Sequence, residues 1–274
     1  MRVAVKWGPW RTRAIATLAG ACGGPIAGPP TDAVLGELSF QSPRIDATFT
    51  LYTAVPPSAS EDGPVVFVLD GDNFFAAATG WEAEIRGTED TEPAVIVGIG
   101  YGYANSYRAP CKEGRWRDLS IVPDERCMTG GAATFVDVLS QEIVPTVLSE
   151  LPGSEDRLAL WGHSLGGRTA LWTLLTTGAE TFAGYIAVDG AAPEVIATQA
   201  EVLQPGSPLP VHLFHMFGAQ IAEDGQANFD AVNQGFLTAA PDGLDWTTER
   251  PDADHGETMT LGLQHGLRWM LPRL

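Results

Sequence analysis

Ser164 stands in the run GHSLGGRTALW, at the point where an apolar stretch gives way to helical spacing. A serine hydroxyl is a weak nucleophile at neutral pH, and it becomes useful when a base takes its proton and hydrogen-bond donors hold the oxyanion that its attack creates. A sharp strand-to-helix turn lifts the side chain clear of the sheet, strains the serine backbone and crowds the flanking positions, a reason for glycine at 162, 166 and 167. The helix that follows aims its first amides at the same spot, so the N–H of Leu165 is a candidate oxyanion donor. G-x-S-x-G alone also describes many plain turns; the apolar run before it and the helical run after it make Ser164 the candidate nucleophile.

Of the five histidines, His255 is the candidate base. It lies in the polar turn PDADHGETM, after the strand-like LDWTTER and before the last helical stretch, and Gly256 frees the loop to turn the ring inward. His163 adjoins Ser164, but its side chain projects to the other side of the turn and reads as packing support. His212 and His215 fall inside a strand, and His265 inside a helix whose fixed backbone keeps it from the turn.

The elements that must position these residues are legible as two periodicities. VVFVLD (65–70), AVIVGIG (94–100), RLALWG (157–162), YIAVDG (185–190) and VHLFHMFG (211–218) are continuous apolar runs, as expected of parallel strands covered on both faces. Between them lie stretches of helical spacing at 133–151, with Pro145 a kink, and at 165–177 and 258–271. Strands alternating with helices predict right-handed crossovers and a doubly wound, mostly parallel sheet. Upstream, GELSFQS and ATFTLYTAV alternate and predict an antiparallel hairpin at the sheet edge. One domain spanning 32–274 is the economical division, with 22–31 (beginning at Cys22, with GGPIAGPP) as a tether.

Five blocks occur in one order: VVFVLDGDNFF, EPAVIVGIGY, RWRDLS with TGGAATFVDVLSQEIVP after it, GHSLGGRTAL and the C-terminal DHG. From about residue 36 onward the chain resembles the esterase family that includes esterase D, the antigen 85 mycolyl transferases and the bacterial enterochelin and salmochelin esterases, the siderophore-esterase branch most of all. The resemblance implies an α/β-hydrolase fold and an ester substrate of small-molecule type. It also implies that the turn LDGDN supplies a second oxyanion amide, by position the N–H of Asp72. In the chain order of that fold the acid of a Ser-His-acid triad falls between serine and histidine, and the loop after VHLFHMFG offers Glu223 first, then Asp224 and Asp230. RWRDLS matches the family's R-x-x-D-x-[ST]-P stretch except that Ile121 and Val122 precede Pro123. Polyanionic catecholate ligands of that branch would suit Arg108, Arg115, Arg117 or Arg168; pairing of these arginines with the chain's many acids is the competing reading. The same residues would serve an acyltransferase of the antigen 85 type, and a catalytically silent fold would serve as a surface binding module.

A formal charge of −18 repels phosphate backbones and argues against nucleic acid as a partner. No apolar run is long enough to cross a bilayer as a helix, and no residue cluster has metal-ligand spacing, so neither metal nor cofactor is expected. Residues 1–21 carry Arg2, Lys6, Arg11 and Arg13, no acid, and then AIATLAGAC, which resembles a bacterial export signal, with Cys22 a candidate lipid anchor. With Cys22 lipidated or removed, Cys111 and Cys127 are left as a pair, and a disulfide between them would stabilise by about 3 kcal/mol. The expectation is an exported protein.

Overall fold

The computed structural model describes residue 26 and residues 28–103, 106–108 and 114–274. The segment 1–21, Cys22 and Cys111 lie outside these residues. Eight strands form one sheet: β1 (Val34–Ser42), β2 (Ala47–Val55), β3 (Val65–Leu69), β4 (Val95–Gly100), β5 (Leu158–His163), β6 (Gly184–Val188), β7 (His212–Met216) and β8 (Asp245–Glu249). Their order is β1-β2-β4-β3-β5-β6-β7-β8. β1 and β2 pair antiparallel, β2 joins β4 antiparallel, and every later pair is parallel. The apolar runs thus became the parallel centre, and the alternating segments the antiparallel edge.

The helices are α1 (Gly71–Thr88), α2 (Gly114–Leu119), α3 (Ala132–Val138), α4 (Val144–Glu150), α5 (Leu165–Thr177), α6 (Pro193–Val202), α7 (Glu223–Ala239) and α8 (Glu257–Met270). Because strand side chains alternate between faces, each strand feeds two cores. Phe67, Leu160, Tyr185 and Leu213 pack with Phe135, Leu171, Val195 and Phe236 from α3, α5, α6 and α7. Val66, Trp161, Ile186 and Phe214 pack with Phe74, Ile85, Leu263 and Leu267 from α1 and α8. The helical stretch around Pro145 is not a single kinked rod: a π turn (Leu139–Ile143) separates α3 from α4. Proline has no N–H to give and crowds the carbonyl four residues back, and a widened turn just before it relieves that crowding.

The order reverses between β4 and β5, on either side of β3. Helices leaving β3 and β5 therefore pass to opposite faces and leave a crevice at the carboxyl ends of these two neighbours. LDGDN closes β3 and HSLGG closes β5, so the fold brings both turns to one place.

Candidate active site

At the end of β5 the chain reverses into α5 through Ser164, whose backbone sits at φ 58°, ψ −118°. Only glycine adopts such angles without strain, so a serine here marks a functional constraint. The crowding is specific. A Cβ on Gly162 would lie 2.1 Å from the Gly166 carbonyl oxygen, and one on Gly167 would lie 2.3 Å from that of Val188. On Gly166 the nearest atom would be 3.4 Å away, an ordinary contact, so the glycines that geometry demands are 162 and 167. The Ser164 N–H donates to the Val188 carbonyl of β6 at 2.9 Å, which pins the turn to the neighbouring strand.

Leu165 begins α5, and Gly71 and Asp72 begin α1. First-turn amides have no acceptor within their own helix, so both helix starts offer N–H groups at the crevice. The close approach of α1 rests on Gly71, where a Cβ would come within 2.6 Å of the Gly98 backbone. The Asp72 carboxylate accepts from the N–H of Tyr101 (2.6 Å) and Gly102 (3.0 Å) and from the Tyr52 hydroxyl (2.6 Å). That side chain therefore ties the start of α1 to the exit of β4. Asn73 Oδ1 accepts from the Ser106 hydroxyl and the Tyr107 N–H, holding the next loop against the same turn.

His255 lies between β8 and α8 in a turn with its own local reason to form. Asp254 Oδ1 accepts from the N–H of Gly256 and Glu257, while Glu257 Oε2 accepts from the Asp254 N–H at 3.0 Å, a reciprocal arrangement of the capping-box kind. The imidazole is 47% exposed, open enough to meet a ligand, and its Nδ1 hydrogen-bonds Asp189 Oδ2 at 2.8 Å.

Asp189 corrects the expectation for the carboxylate. It follows β6 directly, at φ 50°, and accepts from the Gly218 N–H at 2.9 Å and from the Thr258 hydroxyl as well as from His255. Its Oδ2 also lies 3.3 Å from His163 Nε2. Burial by itself would raise its pKa, but the hydrogen bonds from His163 and His255 outweigh burial and hold the carboxyl well below the usual range. Glu223 and Asp224 are exposed in the first turn of α7, Asp230 pairs with Arg250, and none of the three bonds His255. A long polar loop after a strand drew attention to α7, whereas VDG (188–190) looks like a plain turn. The signal was there: an aspartate at the carboxyl end of a fully apolar strand next to the serine strand faces the crevice.

His163 also differs from its expected role as packing support. It is fully buried, its Nδ1 lies within hydrogen-bonding distance of the Tyr107 hydroxyl at 2.8 Å, and its Nε2 lies 3.1 Å from the Thr258 hydroxyl. Its ring sits 4.5 Å from that of His255. Burial, the largest influence, pushes its pKa down to about 4 against the pull of Asp189, so the ring is neutral at pH 7. His163, Asp189 and His255 could together offer three atoms to a metal ion. His255 and Asp189 already satisfy one another, and that pairing suits proton transfer.

Three of the four arginines are neutralised. Arg115 is buried against Asp70 at 2.7 Å, Arg117 grips Asp118 with two bonds, and Arg168 meets Glu194 at 2.5 Å. The side chain of Arg108 lies outside the described ones. Cys127 is disulfide-bonded, while Cys111 falls outside the described residues.

Comparison with known proteins adds the family. The model of the Esterase family, described as "Putative esterase", matches residues 42–189, more than half of the chain. A siderophore triacetylfusarinine C esterase of Aspergillus fumigatus is 34% identical over 131 residues, covering 45% of this chain and 42% of the relative. The ferri-bacillibactin esterase BesA of Bacillus subtilis is 33% identical over 170 residues, covering 55% and 56%. The chain spans about half the length of these curated relatives. Among solved structures, an IroE-like serine hydrolase from Shewanella oneidensis superposes with a TM-score of 0.74 at 22% identity, over 87% of this chain and 80% of that one. The fold is that of an α/β hydrolase.

Proposed function

Since the chain belongs to the esterase family, within which its relatives are siderophore esterases, we propose that it is a serine carboxylesterase acting on a siderophore-type ester or lactone. Ser164 is the nucleophile and His255 the base. Asp189, rather than Glu223, holds the imidazole with Nδ1 protonated, leaving Nε2 free to take the serine proton. The observation that carries this reading is the 2.8 Å bond between His255 and a carboxylate at the end of the strand beside that of Ser164.

The steps follow from that arrangement. Ser164 Oγ bonds to the ester carbon as its proton passes to His255 Nε2, and the buried anion of Asp189 stabilises the imidazolium. The amides of Leu165 and Asp72 hold the oxyanion. Collapse breaks the bond to the alcohol, which leaves with the proton from His255. Water, deprotonated by the same ring, then releases the acid and regenerates the serine. Export is part of the proposal: the basic and then apolar start of the chain and a disulfide at Cys127 both suit an oxidising compartment.

The test is a panel of p-nitrophenyl acetate and ferric siderophore lactones with wild type and Ser164→Ala. Wild type should hydrolyse members of the panel and the variant should fall to background. Equal rates for the two proteins would remove Ser164 from the chemistry, and transfer of the acyl group to added alcohols in preference to water would make the enzyme a transferase.

A further inference from the structure

Thr258, in the first turn of α8, is a polar residue with no exposed surface, and its one hydroxyl meets three parts of the site. It donates to Asp189 Oδ2. It lies 3.1 Å from the carbonyl oxygen of His255, three residues earlier in the chain. It also lies 3.1 Å from Nε2 of His163, the residue directly before Ser164. One oxygen therefore stands where the turns that carry base, acid and nucleophile come together.

The hydrogens around it fall into place when each is used once. A hydroxyl has a single hydrogen, and the anion of Asp189 is a stronger acceptor than a peptide carbonyl. The Thr258 hydrogen therefore belongs to Asp189, and its oxygen is left to accept. His163 Nε2 faces that oxygen at 3.1 Å and Asp189 Oδ2 at 3.3 Å. A bare lone pair on Nε2 would face the anion, so Nε2 carries the hydrogen and Nδ1 is the acceptor toward the Tyr107 hydroxyl, a tautomer assigned from the network. Asp189 Oδ2 then receives the hydrogens of His255 Nδ1 and Thr258, and Oδ1 that of the Gly218 N–H. His255 Nε2 stays free for the Ser164 proton.

The hydroxyl is aimed by the methyl beside it. A Cβ on Gly218 would come within 2.9 Å of Thr258 Cγ2, so the methyl lies against the residue whose N–H binds Asp189. A β-branched side chain has few rotamers in a helix, and with the methyl so placed the oxygen points at Oδ2. The Thr258 N–H, bonded to the Asp254 carbonyl at 3.1 Å, fixes the backbone.

Resting on the esterase reading above, we infer that Thr258 is a positioning residue for the reaction: its hydroxyl fixes the Asp189 carboxylate in the orientation that receives His255 Nδ1, with His163 backing its oxygen. Thr258 touches neither the substrate nor the reacting atoms. Without its hydrogen bond the carboxylate turns more freely and the imidazole is less often aimed at Ser164, a loss of geometry that appears in turnover rather than in binding.

The experiment compares wild type, Thr258→Val, Thr258→Ser and Ser164→Ala for kcat and KM on p-nitrophenyl acetate, for the second-order rate of labelling by a fluorophosphonate probe, and for thermal unfolding. Valine keeps the shape and removes the hydroxyl, whereas serine keeps the hydroxyl and removes the methyl. Thr258→Val should lose about tenfold in kcat and in labelling rate with little change in KM, as expected for a lost hydrogen bond to a charged group. Thr258→Ser should stay within about threefold of wild type in both rates, the cost of serine's extra rotamers. A valine variant with wild-type kcat would overturn the inference even if its unfolding temperature fell, since the hydroxyl would then serve stability alone. A serine variant as slow as the valine variant would overturn it too, because packing of the methyl would then be decisive. A wild type that the probe leaves unlabelled would overturn the esterase reading itself, and this inference with it, so the two failures are distinct.

Discussion

In the proposed mechanism a single side chain decides the proton chemistry of the site. Asp189 is a buried anion with four hydrogen-bond donors around it, while the exposed Glu223 has solvent. Asp189→Asn keeps the shape but offers an N–H where the imidazole needs an acceptor, which favours the wrong tautomer of His255. We expect kcat to fall by roughly 10³–10⁴-fold for Asp189→Asn and to stay at the wild-type level for Glu223→Gln. Steady-state kinetics on one ester checks both, and a crippled Glu223→Gln beside an active Asp189→Asn would restore the α7 acid. The sequence made Ser164 and His255 visible because each sits in a turn with its own local grammar. Asp189 has none: its partners are 66 and 69 residues away in His255 and Thr258.

At the level of elements, the strand-turn-helix unit around Ser164 works because β5, α5 and β6 approach more closely than a Cβ allows. Gly162→Ala places a methyl against the Gly166 carbonyl at 2.1 Å, a contact that only backbone movement relieves. We expect a destabilisation of about 3 kcal/mol or more and a melting temperature lower by roughly 10 °C. Gly166→Ala, inside α5 with ordinary contacts, should shift it by no more than about 3 °C. Calorimetry of the two variants decides; equal losses would contradict the geometry. The glycine pattern was legible from the sequence, but which glycines were indispensable was not, because Gly167 is required by Val188 of another strand.

The whole molecule buries two neutral histidines, His163 and His215, each with a pKa pushed down to about 4, burial being the main cause. In the unfolded chain a histidine titrates near 6.5, so between those values the unfolded state binds more protons and stability falls as the pH drops. Each ring should cost about 2 kcal/mol by pH 5, while above pH 7 its contribution is fully present. Asp189, held low, adds its own loss only at more acid pH. Chemical denaturation at pH 7.5 and pH 5 should therefore show a clear drop in unfolding free energy, and equal values at the two pH values would contradict the buried neutral rings. The formal charge of −18 belongs to this scale too. With Arg115, Arg117 and Arg168 each beside a carboxylate, the described cations near the crevice carry little uncompensated charge.

What the sequence determined by itself is whatever follows from neighbours in the chain. Continuous apolar runs make buried parallel strands, alternation makes the edge hairpin, and a serine among glycines between strand and helix makes a strained turn that presents a candidate nucleophile. Pairing across the sheet was decided only in three dimensions, because a hydrogen bond depends on which carboxyl ends the strand order sets side by side. Thus Asp189 rather than Glu223 meets His255, His163 joins the network, and Arg115, Arg117 and Arg168 find acids. Propensity and periodicity act over a few residues, whereas a buried charge is placed by every element that packs around it.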